Sequence, residues 1–309
     1  MNMGIKVWLK AVRAPFLTAT IIPVLMGYLL AWHDTSTFVW QLFLLALSGA
    51  IFIHIGTNLA NDFFDHLMGC DEANLTPTPF SGGSRVIQDG LISPKKILCV
   101  SLTFFILGAI IGFYLNYVSG KNVILVLGAI GIFLAFFYSA RPFKIGYKCF
   151  GEVSTGLGFG PIMAMGAYFV GARQLSFKVF LVSIPVGILI ALVLFINEFP
   201  DHDGDKAVGK RTLVVFLGKK NAVILYQALL VALYVIIIAL VVVKFLPYLC
   251  LFSLLTLPVA FKAFMASGYN YEKIYELLPV NAATISLHSI IGSLLCAGIA
   301  VDKFLILRR

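Results

Sequence analysis

The stretch KVFLVSIPVGILIALVLFINEFPDHDGD, residues 178–205, decides how the chain is read. Its first part is apolar for about 20 residues, the length a helix needs to cross a ~30 Å hydrocarbon core. It then turns abruptly acidic, with Asn197, Asp201 and Asp205 at spacings of four. An earlier apolar run ends the same way, in Asn58, Asp62 and Asp65. Asn58-x3-Asp62 and Asn197-x3-Asp201 are therefore one polar tetrad written twice, each at the end of a long apolar segment.

The rest of the sequence sets these two clusters in a membrane. Of 309 residues 60% are hydrophobic and only 12% charged, with a mean hydropathy of +0.98; soluble domains carry about 25% charged residues. Nine apolar runs are expected as spans, at 15–32, 39–60, 97–118, 122–140, 153–172, 178–198, 222–243, 246–265 and 284–301. The expected fold is thus an all-α polytopic membrane protein, a single domain over residues 1–309 with nine transmembrane helices around a central cavity. The turns at Lys121 and Lys244 are very tight. Longer stretches at 61–96, 199–221 and 266–283 are expected to cap one face as loops or short helices.

Orientation follows from the basic residues. With nine spans, one side receives Lys6, Lys10, Arg13, Arg85, Lys95, Lys96, Arg141, Lys144, Lys148, Lys206, Lys210, Arg211, Lys219, Lys220, Lys262 and Lys273, 16 of the 23 Lys and Arg residues. That side, with the N-terminus and both acidic clusters, is expected to face the cytoplasm from the inner membrane. The net charge of +9 is scattered over helix ends without an aromatic-interleaved basic face. It reads as positive-inside bias plus an anionic head group rather than nucleic-acid binding. Residues 1–13 precede no small-residue cleavage site, so the first span is expected to be retained. Five dispersed cysteines without CxxC or a matching His pattern support neither a disulfide framework nor a zinc site. Oligomeric state is not encoded in any pattern of the chain.

On a helix, Asn58, Asp62 and Asp65 share one face, as do Asn197, Asp201 and Asp205, although Pro200 interrupts the second copy. Asp203 falls off that face, and His66 and His202 are not in a ligand pattern. Between the clusters the chain crosses often enough to bring both to the same side, as in a parallel repeat. Ionised carboxylates near a bilayer cost up to about 2.5–3.5 kcal/mol each and repel one another, so a cation must compensate them. Carboxylate and amide oxygens are hard ligands and favour Mg²⁺, which is usually shared with substrate phosphates. Basic residues to hold a phosphate follow in the Tyr138–Lys148 loop (Arg141, Lys144, Lys148), after the second cluster (Lys206, Lys210, Arg211), and in Phe80-Ser-Gly-Gly-Ser-Arg85. A cation-coupled secondary transporter would place paired carboxylates similarly, but at mid-span in broken helices.

At this point the chain resembles the UbiA-type intramembrane prenyltransferase superfamily. Asn61-Asp62-x2-Asp65 matches its first aspartate-rich motif, and Asp201-x3-Asp205 with Lys210-Arg211-Thr212-Leu213 its second. The Tyr138–Glu152 loop and the N-terminal Trp8, Arg13 and Pro23-Val24-x2-Gly27 extend the resemblance over the chain. The superfamily's third first-motif aspartate would fall at position 69, which is Gly69. The stretch from Ile55 to Asp65 followed by Gly69-Cys70-Asp71 is instead similar to the branch that prenylates 1,4-dihydroxy-2-naphthoate, with Asp71 in the third carboxylate's part.

The resemblance implies Mg²⁺ at Asn58, Asn61, Asp62, Asp65, Asp71, Asn197, Asp201 and Asp205. It also implies a polyprenyl diphosphate donor, with Arg13, Arg85, Arg141, Lys144, Lys148, Lys210 and Arg211 as neutralisers of its oxygens. Tyr138 would stabilise an allylic cation, and the catalytic set would comprise Asp62, Asp65, Asp201, Asp205 and Tyr138. The acceptor would be aromatic, a dihydroxynaphthoate in this branch. Elsewhere in the superfamily it is 4-hydroxybenzoate, a glycerol-phosphate lipid precursor, a chlorin or a haem.

Overall fold

A computed structural model describes residues 3–307. Thirteen α-helices follow in chain order: α1 Met3–Ala11, α2 Thr18–Thr35, α3 Trp40–Leu67, α4 Cys70–Ala73, α5 Pro94–Ser119, α6 Val123–Phe136, α7 Gly151–Leu157, α8 Met163–Ala172, α9 Phe177–Ala207, α10 Leu213–Leu217, α11 Lys219–Val242, α12 Leu257–Asn270 and α13 Ile274–Leu307. A π-helical turn, Gly158–Ile162, joins α7 to α8, and a 3₁₀ stretch, Tyr248–Thr256, leads into α12. Among the described residues no strand is formed.

Eight helical segments are long and apolar enough to cross a membrane. The expected span at 122–140 forms a helix of only 14 residues, α6, or about 21 Å of rise. By length alone eight segments qualify among the described residues, and the ninth expected span is the shorter apolar helix α6. Apolar content was right there, but residues 137–140 are needed for a turn that turns the chain into the site. The stretch 266–283, expected as a loop, is almost wholly helical: α12 runs to Asn270 and α13 starts at Ile274. Both helices extend past the expected apolar spans with one face exposed (Tyr269, Tyr275, Glu276) and the other buried (Ser267, Leu277, Asn281). Likewise α9 continues through Pro200 to Ala207, and α3 runs to Leu67, so each acidic cluster is helical throughout.

Helix α9 lies at the centre, packed against α2, α7, α8, α11 and α13. Its buried side chains Val186, Leu189, Leu192, Phe195, Ile196 and Phe199 are at most 5% exposed. Small residues let the helices approach: a Cβ at Gly187 would sit 2.6 Å from the Gly156 carbonyl oxygen, so backbones touch there. The outward faces are apolar too, with Ile106, Ile110, Phe113, Val126, Val235 and Phe261 all exposed, which suits lipid rather than water. Turns at the end away from the acidic clusters are closed by left-handed residues, Ser36, Lys121, Asn122, Arg173 and Lys244, the usual helix-terminating conformation. Exposed Trp40, Tyr117, Phe177 and Tyr248 ring that end, as aromatic residues do at a membrane–water boundary.

The opposite end is capped. Helix α1 and the 74–93 segment pack as one layer: Ala11, Val86, Ile87 and Ile92 are buried against Leu59 of α3 and Ile97 of α5. Lys10 pairs with Asp89 at 3.1 Å, and the Lys96 ammonium sits over the Trp8 ring.

Candidate active site

The C-terminal ends of α3 and α9 converge under this cap. Asp62 is 2% exposed and Asp65 6%. Arg13, itself in the left-handed conformation that turns the chain from α1 into α2, donates from Nη2 to Asp62 Oδ1 at 2.6 Å and to Asn61 Oδ1 at 3.1 Å. Ser84 donates to the same carboxylate from its backbone N–H, at 3.2 Å, and from its hydroxyl. Asn61 donates to Asp65 Oδ2 and to Ser139 Oγ, and the Tyr147 hydroxyl donates to Asp65 Oδ1 at 2.7 Å. Asn58 donates to the Val12 carbonyl oxygen at 3.0 Å.

From α9, Asp201 accepts from Asn74 Nδ2 at 2.6 Å and from the Gly82 N–H at 3.3 Å. Gly82 and Gly83 have φ of +77° and +72°, a conformation that glycine adopts without steric cost. Lys210 ties the two clusters: its Nζ lies 3.3 Å from Asp205 Oδ1 and 3.7 Å from Asp65 Oδ2. The acidic ends of α3 and α9 are therefore on the same side of the bundle. For that, the chain must also pass across it along α6, whatever that helix's length.

Burial works against charge on Lys210, but Asp65 and Asp205 outweigh it and raise the ammonium well above its ordinary value. Burial, together with the Asp65 and Asp62 carboxylates, pushes the Asp71 carboxyl up to about 8.

Arg13, Asn58, Asn61, Asp65, Asn74, Ser84, Asp201, Asp205 and Lys210 line a polar cavity of about 580 Å³, together with Lys10, Arg85, Asp71, Asn197, Glu198 and Tyr138. Beside it lies an apolar cavity of about 620 Å³, walled by α3, α5, α6 and the α7–α8 segment. His54, Thr57, Tyr138, Thr155 and Phe159 line both cavities, so the polar one opens into the apolar one. Tyr138 is seated over Gly146, where a Cβ would lie 2.7 Å from its ring.

The structure brings Asn58, Asn61, Asp65, Asp71, Asn197, Asp201, Asp205, Arg13, Arg85, Lys210 and Tyr138 to the polar cavity, with Asp62 held by Arg13 and Ser84 at its wall. Arg141, Lys144, Lys148 and Arg211 do not line it: Lys144 lies over the outer face of the Tyr147 ring, the Arg211 guanidinium over Phe216, and Arg141 and Lys148 are exposed. Asp203 is 79% exposed and pairs with His202 and Lys219, while His66 pairs with Glu72. Sequence reading missed Ser84, Asn74, Tyr147, His54 and Glu198. Only the glycine pair beside Ser84 hinted at a loop folded onto the carboxylates.

Three buried atoms of residues lining this cavity have no partner: the Nε donor of Arg13 and the acceptors Asp205 Oδ2 and Glu198 Oε2. The donor suits an anion and the acceptors a cation. No group of three or more His, Cys, Asp or Glu side chains among the described residues forms a ready metal cage. Mg²⁺ seldom requires one, since one or two carboxylates and substrate phosphates complete its shell. The hard oxygen donors here fit that mode.

Two joined chambers, one charged and one apolar, thus lie under a cap on a bundle of membrane-length helices. The match to known sequences is specific: the model of the UbiA prenyltransferase family covers residues 20–284, and the chain belongs to that family and is a prenyltransferase. It is 27% identical to the 1,4-dihydroxy-2-naphthoate octaprenyltransferase of Bacillus subtilis over 98% of this chain and 94% of that protein. It is 32% identical to the Mycobacterium tuberculosis protein of the same name, over 88% and 89%. A UbiA homologue from Archaeoglobus fulgidus, solved with DMAPP and Mg²⁺, has the same fold, with a TM-score of 0.60 at 15% identity over 93% of this chain and 99% of that one. The transporter alternative is thereby set aside, and the chain is an integral membrane protein.

Proposed function

We propose that this prenyltransferase moves a polyprenyl group from its diphosphate to 1,4-dihydroxy-2-naphthoate, yielding the prenylated naphthoquinol that oxidises to demethylmenaquinone. The observation that carries the donor is the junction of the two cavities at Tyr138: a diphosphate fits the charged side and its isoprenoid tail the apolar side. The acceptor rests on the names of the full-length relatives from Bacillus subtilis and Mycobacterium tuberculosis. The Archaeoglobus homologue solved with a prenyl diphosphate and Mg²⁺ supports the metal.

Asp62 and Asp65, with Asn58 and Asn61, would hold Mg²⁺ from α3, Asp71 from α4, and Asn197, Asp201 and Asp205 from α9. Bound Mg²⁺ would neutralise the diphosphate and make it a better leaving group. Arg13, Arg85, Lys210 and Lys10, all lining the polar cavity, bind and orient the diphosphate oxygens. The C1–O bond of the donor then breaks, leaving allylic cation character that the face of Tyr138 stabilises. The ring carbon that carries the carboxylate forms the new bond to C1, and that carboxylate leaves as carbon dioxide, its C–C electron pair restoring the aromatic ring. The cap of α1 and residues 74–93 keeps water from the cation. We place this capped end at the cytoplasmic side of the inner membrane, from its excess of Lys and Arg.

Asp62→Asn and Asp201→Asn, assayed in detergent with farnesyl diphosphate, labelled dihydroxynaphthoate and Mg²⁺, are expected to lose at least about 100-fold in turnover, the scale of losing one electrostatic partner of the transition state. Near-normal turnover in both variants sinks the metal role. Turnover by the unaltered chain with 4-hydroxybenzoate but not with dihydroxynaphthoate sinks the acceptor.

A further inference from the structure

Pro200 sits inside α9, three residues after Asn197. Its ring nitrogen carries no hydrogen, so the carbonyl four residues back, that of Ile196, has no helical donor. The missing donor comes from another helix. Asn281 of α13, wholly buried, places its Nδ2 3.0 Å from Ile196 O, and the same nitrogen lies 2.8 Å from Asn197 Oδ1. A backbone carbonyl only accepts, which fixes the NH₂ end of Asn281 toward α9; the atom of Asn197 facing it is then the oxygen. One NH₂ group thus uses both hydrogens: one on the carbonyl left free by Pro200, the other on the amide of a cavity-lining side chain. The other end of Asn281, its Oδ1, is buried with no partner. An apolar residue would spare that unpaired oxygen, whose burial is unfavourable, so the arrangement favours donation over comfort.

The first cluster needs no such aid. Helix α3 has no proline near Asn58, whose amide is set by the Val12 carbonyl oxygen across the cap.

We infer that Asn281 is a positioning residue for the prenyl-transfer site, setting the orientation of Asn197 while it mends the α9 break. This rests on the reading of Asn197 as part of the Mg²⁺–diphosphate site. Asn281 does not line the cavity and acts only through Asn197. Residues hydrogen-bonded behind a metal ligand typically change metal affinity or activity by about 10- to 100-fold when lost.

The test separates mending from positioning. Full-length protein in detergent is titrated with Mn²⁺ in the presence of inorganic diphosphate, with bound Mn²⁺ followed by electron paramagnetic resonance and thermal stability measured alongside. Asn281→Leu is expected to weaken Mn²⁺ binding about 10- to 100-fold and to lower Tm. In Asn281→Leu with Pro200→Ala, the residue at 200 regains an N–H for Ile196 O, so Tm is expected to recover while Mn²⁺ binding stays weak. This double variant also serves if the single one does not fold. Recovery of both properties, or unchanged Mn²⁺ binding in the double variant, overturns the inference and leaves Asn281 a purely structural residue. Asp201→Asn in the same titration guards the underlying reading: if it binds Mn²⁺ normally, the metal site itself is misassigned, whereas a weak Asp201→Asn beside a normal Asn281 variant refutes only the role of Asn281.

Discussion

Tyr138 has no freedom to move away from the junction of the two cavities, because Gly146 and Gly151 lie against its ring and hydroxyl. Gly146→Ala would put a methyl 2.7 Å from that ring and push it into the cavity. A misplacement of about 1 Å near reacting atoms can cost 100-fold. We expect kcat to fall about 10- to 100-fold with a nearly unchanged circular dichroism spectrum; wild-type kcat would show that the ring's seat is irrelevant. The acidic residues were legible because their chemistry is unusual in an apolar chain and their spacing repeats. Their partners were not. Ser84, Asn74 and Tyr147 are ordinary polar residues whose value depends on a loop folding back across more than 20, 120 and 80 positions respectively to Asp62, Asp201 and Asp65. Charge alone could not say which basic residues reach the cavity: Arg141, Lys148 and Arg211 are exposed and do not line it.

At the scale of elements, hydropathy located the apolar segments and misjudged where helices stop. Helices here run on beyond the apolar stretches, and α13 begins ten residues before its expected span. The apolar cavity is a product of packing alone. Its walls include Gly112 of α5 and Gly128 of α6, and a Cβ on either would meet no atom within 4 Å. Leucine at these positions fills space that the isoprenoid tail would otherwise take. Gly112→Leu and Gly128→Leu are each expected to cut kcat/KM for a C40 diphosphate at least about 10-fold relative to farnesyl diphosphate, since a lost apolar contact is worth roughly 1–3 kcal/mol. Competition between the two donors reads this ratio directly, and an unchanged ratio would place the tail elsewhere.

For the whole molecule, the apolar belt and the parity of crossings agree: the cap and the Leu175 turn lie at opposite ends of the bundle. A cysteine replacing exposed Lys148, at the capped end, is expected to react with a membrane-impermeant maleimide in inside-out vesicles only. One replacing exposed Leu175 is expected to react only in right-side-out vesicles. The reverse pattern would put the active site outside the cell and defeat the proposed orientation. The global architecture was readable from sequence because a bilayer permits few solutions, and two like clusters on alternating crossings can meet only at one surface.

The ammonium of Lys210, set between Asp65 and Asp205, has a consequence for the reaction cycle. It is a resident counter-ion: a carboxylate from each half, Asp65 and Asp205, already has positive charge beside it. On the proposed reading, a diphosphate entering the pocket would meet this ammonium already seated between the two acids, and Lys210 would return to them once the anion leaves.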